Sequence, residues 1–210
     1  RRGPQALEQQ LRKRGAGSDP AARRIETRFR DAKAAVAAAI SARGRLREAS
    51  VWQTLAAKER LCEELDAMVA THAVPVGDAA TTAVPERWAA LPLLAPAWEK
   101  PMLARRDAAL RALAEEDAAV AHASRVAQGN EVRAEMLLEL EIALGLDSPP
   151  ELQAQRLALQ VKQLRQRFQS AASGGTARER LLAWCAEPGV ADARDRQRCE
   201  KVFAAIAKAQ

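Results

Sequence analysis

Apolar residues recur at helical spacing along most of the chain, and this pattern predicts its secondary structure. The first stripe consists of Ile25, Phe29, Ala32, Val36 and Ile40. It predicts a helix that begins at Asp19-Pro20 and weakens at Gly44. A second stripe consists of Trp52, Leu55, Cys62, Leu65 and Val69. Its helix begins either at Ser50 as an N-cap or earlier, at Leu46.

The segment from Leu137 to Phe168 has the pattern of a helix, a stop, a start and a second helix. The first stripe ends at Leu144, and Gly145 can adopt the left-handed conformation that closes a helix. Ser148-Pro149-Pro150-Glu151 then fits a capping box, with Ser148 as N-cap and Pro149 at the first helical position. The next core-facing stripe comprises Leu157, Val161, Leu164 and Phe168.

Proline, glycine and capping residues divide the remaining sequence. Residues 73–85 are predicted to form a loop, and Glu86–Leu91 a short helix. A long helix is expected from Trp98 past Val120, with a break or kink at Gly129-Asn130. Thr176–Glu179 is a second capping box, Pro188-Gly189 ends its helix, and Asp192 or a neighbour begins the last one.

Composition favours an all-α fold of antiparallel helices or long helical hairpins. Aromatic residues make up only 3% of the 210 residues and Tyr is absent, so good strand formers are scarce. We expect a basic linker or frayed helix at 1–18, a repeat-like helical region at 19–146 and a C-terminal three-helix unit at 147–210. A weak similarity between residues 28–36 and 105–113 is the basis for the repeat.

The cysteines and the hydropathy pattern indicate a cytoplasmic protein. Cys62, Cys185 and Cys199 are odd in number and far apart, as expected for free thiols in a reducing compartment. No apolar run approaches the roughly 20 residues of a membrane span, and no signal peptide is apparent. We expect the chain, which begins at Arg1, to be part of a longer protein.

Charge is distributed unevenly around a net value of +6. Residues 1–30 carry nine basic and three acidic side chains, whereas residues 115–151 carry two basic and nine acidic ones. This asymmetry indicates either a polar partner or intramolecular docking. A basic arm of this kind can bind nucleic acid by releasing counterions. The candidate nucleic-acid-binding residues are Arg12, Lys13, Arg14, Arg23 and Arg24.

Several segments resemble a bacterial helical-repeat family. They are RWAALP at 87–92, WEKPMLARRDAA at 98–109, EIALGLDSPPE at 141–151 and LLAWC at 181–185. Together they resemble the C-terminal part of proteins that contain domain of unknown function 349. The AKAAV segment at 32–36 departs from that family's repeat pattern. The resemblance implies a cytoplasmic bacterial helical protein, and it supplies no catalytic residues to transfer.

The residue types that support chemistry are scattered, and we predict no catalytic, cofactor-binding or metal-binding residue. His72 is expected to have a structural role near a helix end, and His122 to be a partly buried surface residue. Cys62 and Cys185 are interpreted as small buried apolar residues.

Neighbouring carboxylates and the tryptophans have similarly plain interpretations. Glu63-Glu64 and Glu115-Glu116-Asp117 diverge by about 100° per residue on a helix, so we expect them on solvated faces. The four tryptophans, expected to anchor the core, are Trp52, Trp88, Trp98 and Trp184.

Two functional hypotheses follow. The first is a non-enzymatic interaction or scaffold module that binds a protein partner through helix faces or a groove. The alternative is a nucleic-acid- or ribosome-associated protein that uses the basic N-terminal arm. The sequence identifies neither the partner nor the oligomeric state.

The capping interpretation makes one stability prediction. Replacing Ser148 with Ala should lower the free energy of unfolding by about 1 kcal/mol, because an N-cap hydroxyl is lost. Chemical denaturation measures this change, and an unchanged midpoint would show that Ser148 does not cap a helix.

Overall fold

A computed structural model describes residues 20–71, 79–169 and 175–208, and it confirms the all-α prediction. Seven α-helices and one short 3-10 turn occupy these residues, without a strand among them. The helices are α1 (Pro20–Thr71), α2 (Ala79–Ala89), α3 (Pro96–Ala114), α4 (Glu116–Leu144), α5 (Gln153–Gln169), α6 (Ala177–Ala186) and α7 (Ala193–Lys208). The 3-10 turn, Pro150–Leu152, lies directly before α5.

The chain divides into two units, one ending at Glu48 and one beginning at Ala49. The predicted boundary at 146/147 does not coincide with this division. Buried residues from both sides of position 146, such as Leu140 and Trp184, belong to one hydrophobic cluster in the second unit.

Helix α1 is continuous where two helices were predicted. A Cβ at Gly44 would have no neighbour within 4 Å, so this glycine costs the helix only its own low propensity, about 1 kcal/mol. The predicted cap at Ser50 is wrong, since Ser50 is inside the helix and its carbonyl oxygen accepts the Thr54 hydroxyl at 2.9 Å. An isolated glycine weakens a long helix without ending it.

The second unit is built around the C-terminal part of α1. Lys58 contacts Glu99 and Asp66 contacts Arg105, so α1 and α3 run in the same direction. Asp66 also contacts His122 while Glu59 contacts Arg133, so α4 runs antiparallel to α1. The fully buried side chains around this arrangement include Trp52, Leu55, Leu65, Met102, Leu137, Leu140, Leu181 and Trp184.

The region predicted as one helix from Trp98 past Val120 is two helices. Glu115 has an extended backbone (φ −130°, ψ 123°) and separates α3 from α4. The predicted break at Gly129-Asn130 is wrong, because α4 passes through both residues. A Cβ at Gly129 would overlap the carbonyl oxygen of Pro188, so glycine here permits close approach of the α6–α7 connection.

The prediction for the turn between α4 and α5 is correct at the beginning of the turn and wrong at its end. Gly145 closes α4 in the left-handed conformation at φ 67°, as predicted. Ser148, however, caps no helix: the 3-10 turn begins at Pro150 with Pro149 as its N-cap residue. The Ser148 hydroxyl instead donates to Glu141 at 2.6 Å and accepts from Arg156 at 2.5 Å. A loss of stability in Ser148→Ala would therefore come from these buried contacts and not from a helix cap.

The predicted core face of α5 is also wrong. Leu157 is 63% exposed, and Val161 and Leu164 are exposed beside it. Leu159, on the opposite side of the helix, is the buried leucine. Helix α5 is apolar on two sides, and periodicity alone does not indicate which side packs. The side chain of Phe168 lies outside the described residues.

The two last helices begin as predicted. The Thr176 hydroxyl accepts the Glu179 N–H at 3.2 Å while the Glu179 carboxylate accepts the Thr176 N–H at 2.8 Å, which is a complete capping box. Asp192 accepts the Asp195 N–H at 2.7 Å at the start of α7. Trp52, Trp88 and Trp184 are buried and Trp98 packs against the same cluster, so the tryptophans anchor the core.

A glycine pair tests the close approach of α4 and the α6–α7 connection. Gly129→Ala should lower the free energy of unfolding by about 2–3 kcal/mol, because the new methyl group displaces the Pro188 carbonyl. Gly44→Ala, where the added Cβ meets nothing, should be neutral or stabilising by up to about 1 kcal/mol. Equal midpoints of chemical denaturation for the two variants would contradict the packing described here.

Candidate functional site

The N-terminal part of α1, residues 20–48, exposes an apolar stripe. Ile25 and Val36 are each 59% exposed, Ile40 is 68% exposed and Leu46 is 72% exposed. Phe29, at helical spacing between them, is half-buried. We call this set the α1 stripe. Large aliphatic side chains aligned on one helix face and open to solvent are typical of a surface that packs against another helix.

The same segment is strongly basic. Residues 20–48 hold eight arginines and lysines against three acidic residues. Arg23 and Arg24, predicted to bind nucleic acid, are exposed here. The other three candidates, Arg12, Lys13 and Arg14, lie outside the described residues. At 100° per residue, Arg23 and Arg24 are separated from the centre of the α1 stripe by more than a right angle. These two arginines therefore lie on the other side of the helix from the α1 stripe, whereas Arg43 and Arg47 lie on the same side as the stripe.

The second unit contains a buried charged cluster centred on Asp66, which has no exposed surface. One Asp66 oxygen accepts from Arg105 at 2.7 and 2.9 Å and from the Gly189 N–H at 3.0 Å. The other accepts from His122 at 2.7 Å. Burial raises the pKa of Asp66, but the His122 hydrogen bond and the Arg105 charge outweigh it, so this pKa lies below its ordinary value.

Arg105 connects this carboxylate to the α6–α7 connection. Its guanidinium donates to the carbonyl oxygens of Cys185 at 2.7 Å and Gly189 at 3.0 Å. A planar fork presents donors on three separate nitrogens and so serves two carbonyls and a carboxylate on different sides, whereas an ammonium group has only three donors on one nitrogen. The Asp66–Arg105 pair thus attaches the connection to α1 and α3 from within the core.

His122 is fully buried, so its prediction as a partly buried surface residue is wrong. Its Nδ1 faces the Arg125 guanidinium at 3.4 Å, and its Nε2 faces Asp66 at 2.7 Å. Since a guanidinium only donates, Nδ1 is the acceptor and the proton is on Nε2. The pair has the form of a carboxylate–imidazole dyad, but both of its ring nitrogens are occupied by protein partners.

A second carboxylate extends the cluster. Glu59 accepts from Arg133 at 2.6 Å and is 3.5 Å from Arg105. The Arg133 guanidinium stacks 3.8 Å from the Trp184 ring centre. Glu63, predicted on a solvated face, is buried and pairs with Arg196 at 2.7 Å. The predicted solvated positions of Glu115, Glu116 and Asp117 are correct, since all three are exposed.

Two further buried ion pairs lie outside this cluster. Lys58, with no exposed surface, donates to both Glu99 oxygens at 2.5 and 2.6 Å. Burial raises the pKa of Glu99, but the hydrogen bonds from Lys58 and from the Leu94 N–H lower this pKa by more than burial raises it. The pKa of Glu99 therefore lies below its ordinary value. Glu141 accepts from Arg198 through both oxygens, at 2.7 and 2.9 Å.

A groove of about 600 Å³ lies beside the Glu141–Arg198 pair. It runs between α4, α5 and the start of α7, and Leu138, Leu152 and Leu159 form its apolar lining. Its polar lining residues are Glu131, Gln155, Glu135, Asp192, Arg194, Asp195 and Arg198. Arg198 is already bound to Glu141 and Asp195, and Arg194 pairs with Glu151 at 2.5 Å. A mixed lining of this kind suits side chains from another polypeptide.

The cysteines are buried and unpaired. Burial raises the pKa of the Cys62 thiol to about 12 and raises those of Cys185 and Cys199 well above their ordinary value. They are therefore neutral thiols at physiological pH, as expected for the small apolar role predicted for Cys62 and Cys185. His72 lies outside the described residues.

Searches for two other kinds of site were negative within the described parts of the chain. No three side chains of the His, Cys, Asp or Glu types cluster as metal ligands there. None of the helices there combines the length and the apolarity that crossing a bilayer requires.

Comparisons with known proteins found no matching family model, no matching curated protein and no matching solved structure. The resemblance to proteins with domain of unknown function 349 therefore stays a prediction.

The buried charged cluster was missed by the sequence reasoning. Arg105 and His122 lie 39 and 56 positions after Asp66 along the chain. In the sequence, each of the three resembles an ordinary helix-surface residue. One usable signal was present: Asp66 follows Cys62 by four positions and precedes Val69 by three, so it lies on the apolar stripe. A charged residue on an apolar stripe predicts a buried partner.

Arg105→Lys tests the role of the cluster. It should lower the free energy of unfolding by about 3–5 kcal/mol, because lysine leaves buried acceptors without donors. Arg111→Lys, at an exposed position of the same helix, should change it by less than about 0.5 kcal/mol. Chemical denaturation of both variants gives the comparison, and a small effect for Arg105→Lys would mean that the guanidinium fork is dispensable.

Proposed function

We propose that this chain is a non-enzymatic protein-interaction or scaffold module whose principal docking surface is the α1 stripe. The observation that carries the proposal is the exposure of Ile25, Val36, Ile40 and Leu46 on one face of residues 20–48. Burying apolar surface contributes about 25 cal/mol per Å², so covering four such side chains supplies several kcal/mol toward association.

The groove between α4, α5 and α7 supports the same proposal from the second unit. It offers apolar lining beside charged groups, and the exposed face of α5 with Leu157, Val161 and Leu164 lies on one of its bordering helices. A scaffold needs more than one binding surface, and these two surfaces belong to different units of the chain.

The absence of enzymatic activity is part of this proposal. Among the described residues, the groups best suited to catalysis are occupied by structural contacts. Both ring nitrogens of His122 have protein partners, and the three thiols are buried with raised pKa values. The buried charged cluster holds helices together and has a structural role here.

A second candidate function is nucleic-acid or ribosome association. The excess of basic side chains over residues 20–48, including the exposed Arg23 and Arg24, favours it. Lys and Arg side chains around a helix bind phosphates without reading sequence, and such binding weakens steeply with salt. Protein docking is preferred because the apolar stripe has no role in phosphate binding.

We further propose that the protein is cytoplasmic and bacterial. Three unpaired buried thiols support a reducing compartment. The bacterial origin rests on the family resemblance alone.

Affinity capture with matched variants tests the proposed function. Val36→Asp combined with Ile40→Asp should reduce recovery of protein partners at least about tenfold, because two charges enter the apolar contact. Ala34→Asp combined with Ala38→Asp adds the same charge at exposed positions on the other side of the helix and should leave recovery unchanged.

Nuclease treatment separates the two candidate functions. Partners that withstand nuclease and depend on the α1 stripe support protein docking. Partners lost on nuclease treatment, with equal recovery for both double variants, would replace it with the nucleic-acid function.

A further inference from the structure

We propose that the α1 stripe pairs with the same stripe of a second copy of this chain, in an antiparallel two-helix arrangement. This inference rests on the proposed function and names the partner. It follows from the repeat, the side-chain sizes and the charges along residues 22–47.

Four of the five stripe residues, Ile25, Phe29, Val36 and Leu46, also follow a seven-residue repeat, and Ile40 lies beside it. One position of the repeat is occupied by Ala22, Phe29, Val36 and Arg43, and the position three residues later by Ile25, Ala32, Ala39 and Leu46. Alternating spacings of three and four residues keep one face toward a partner helix over several turns, which is the pattern of a coiled coil.

When two copies of this repeat run antiparallel, the side chains that face each other have complementary sizes. If two copies cross midway between Val36 and Ala39, each Val36 lies against Ala39 of the other copy. Phe29 then lies against Leu46 at each end. Large residues at the centre meet small ones, and the two ends carry the largest apolar contacts, so the layers fill without overlap.

Charges select the antiparallel direction. In a parallel pair in register, Arg43 would face Arg43 within the apolar contact, and Arg47 would lie beside Ala42 of the other copy, without an acidic partner. In the antiparallel pair, Arg43 lies over Ala32 and can extend its head to solvent. Glu26 of each copy then lies beside Arg47 of the other, since both residues directly follow the second repeat position. All three charged residues are exposed in the chain described here.

The overall positive charge of residues 20–48 does not prevent this pairing. At physiological salt, charges more than about 8 Å apart are largely screened, so near neighbours decide the electrostatic balance. The near neighbours at each end of the antiparallel pair include the opposite charges Glu26 and Arg47. Two such contacts per dimer favour this direction over the parallel one.

Self-association of the full chain is the first test. Sedimentation across a wide concentration range should show a monomer–dimer equilibrium. Val36→Asp should raise the dimer dissociation constant at least tenfold, and the control Ala38→Asp should change it less than twofold. A chain that stays monomeric at every concentration overturns the proposal.

A charge swap tests the direction of pairing. Arg47→Glu should weaken the dimer about fivefold, because two attractive contacts become repulsive. Adding Glu26→Arg to Arg47→Glu should restore the affinity to within twofold. In a parallel dimer, Arg47 lies beside Ala42 and Glu26 lies beside Ala21 of the other copy, so neither substitution should change the affinity more than twofold. That result overturns the antiparallel arrangement.

Disulfide trapping provides an independent measurement. Copies carrying Phe29→Cys, mixed with copies carrying Leu46→Cys, should form the mixed disulfide in preference to either symmetric one. The native cysteines are buried and interfere little. A dominant symmetric disulfide between Leu46→Cys copies would show parallel pairing and overturn the proposal.

Failure of self-pairing is distinguishable from failure of the proposed function. A monomeric chain that still captures another protein through Val36 and Ile40 overturns only the second-copy inference. A dimer that forms only with nucleic acid, and dissociates on nuclease treatment, also overturns it. A monomer whose captured partners are indifferent to the Asp substitutions removes both proposals.

Discussion

The second unit depends on a carboxylate that is entirely removed from water. Asp66 cannot remain ionised in an apolar interior unless its oxygens are neutralised and hydrogen-bonded, and Arg105, His122 and the Gly189 N–H meet that requirement. Each partner comes from a different segment. The charge therefore fixes the relative positions of α1, α3, α4 and the α6–α7 connection more narrowly than apolar packing does, because hydrogen bonds are directional.

The two units differ in how completely they bury their side chains. In the second unit, ion pairs and tryptophans are buried together, and even Lys58 has lost contact with solvent. In residues 20–48, the aliphatic side chains are open and no residue is buried. Residues 20–48 therefore expose their large aliphatic side chains, whereas the second unit buries charged and apolar side chains together in one core.

Local features could be predicted from the sequence, whereas long-range choices could not. The predictions for the end of α4 at Gly145 and for the Thr176 capping box were correct, because a single residue determines the first and four neighbouring residues determine the second. The predictions for the Leu157 face and the Ser148 cap were wrong because each segment had two acceptable environments. At Ser148, contacts with Glu141 and Arg156, outside the four-residue capping pattern, decided between them. The buried charged cluster was missed for the same reason: its members are brought together only by the fold.

The continuity of α1 through position 48 explains why residues 20–48 are helical although they bury no residue. Starting a helix is the unfavourable step, with a nucleation constant of about 10⁻³, whereas extending an existing one is nearly neutral for residues such as alanine. Residues 52–69 of the same helix are fixed by the core, so that step is already complete where the exposed segment begins. The exposed half then needs no partner to become helical, so binding a partner would carry no cost for folding this segment.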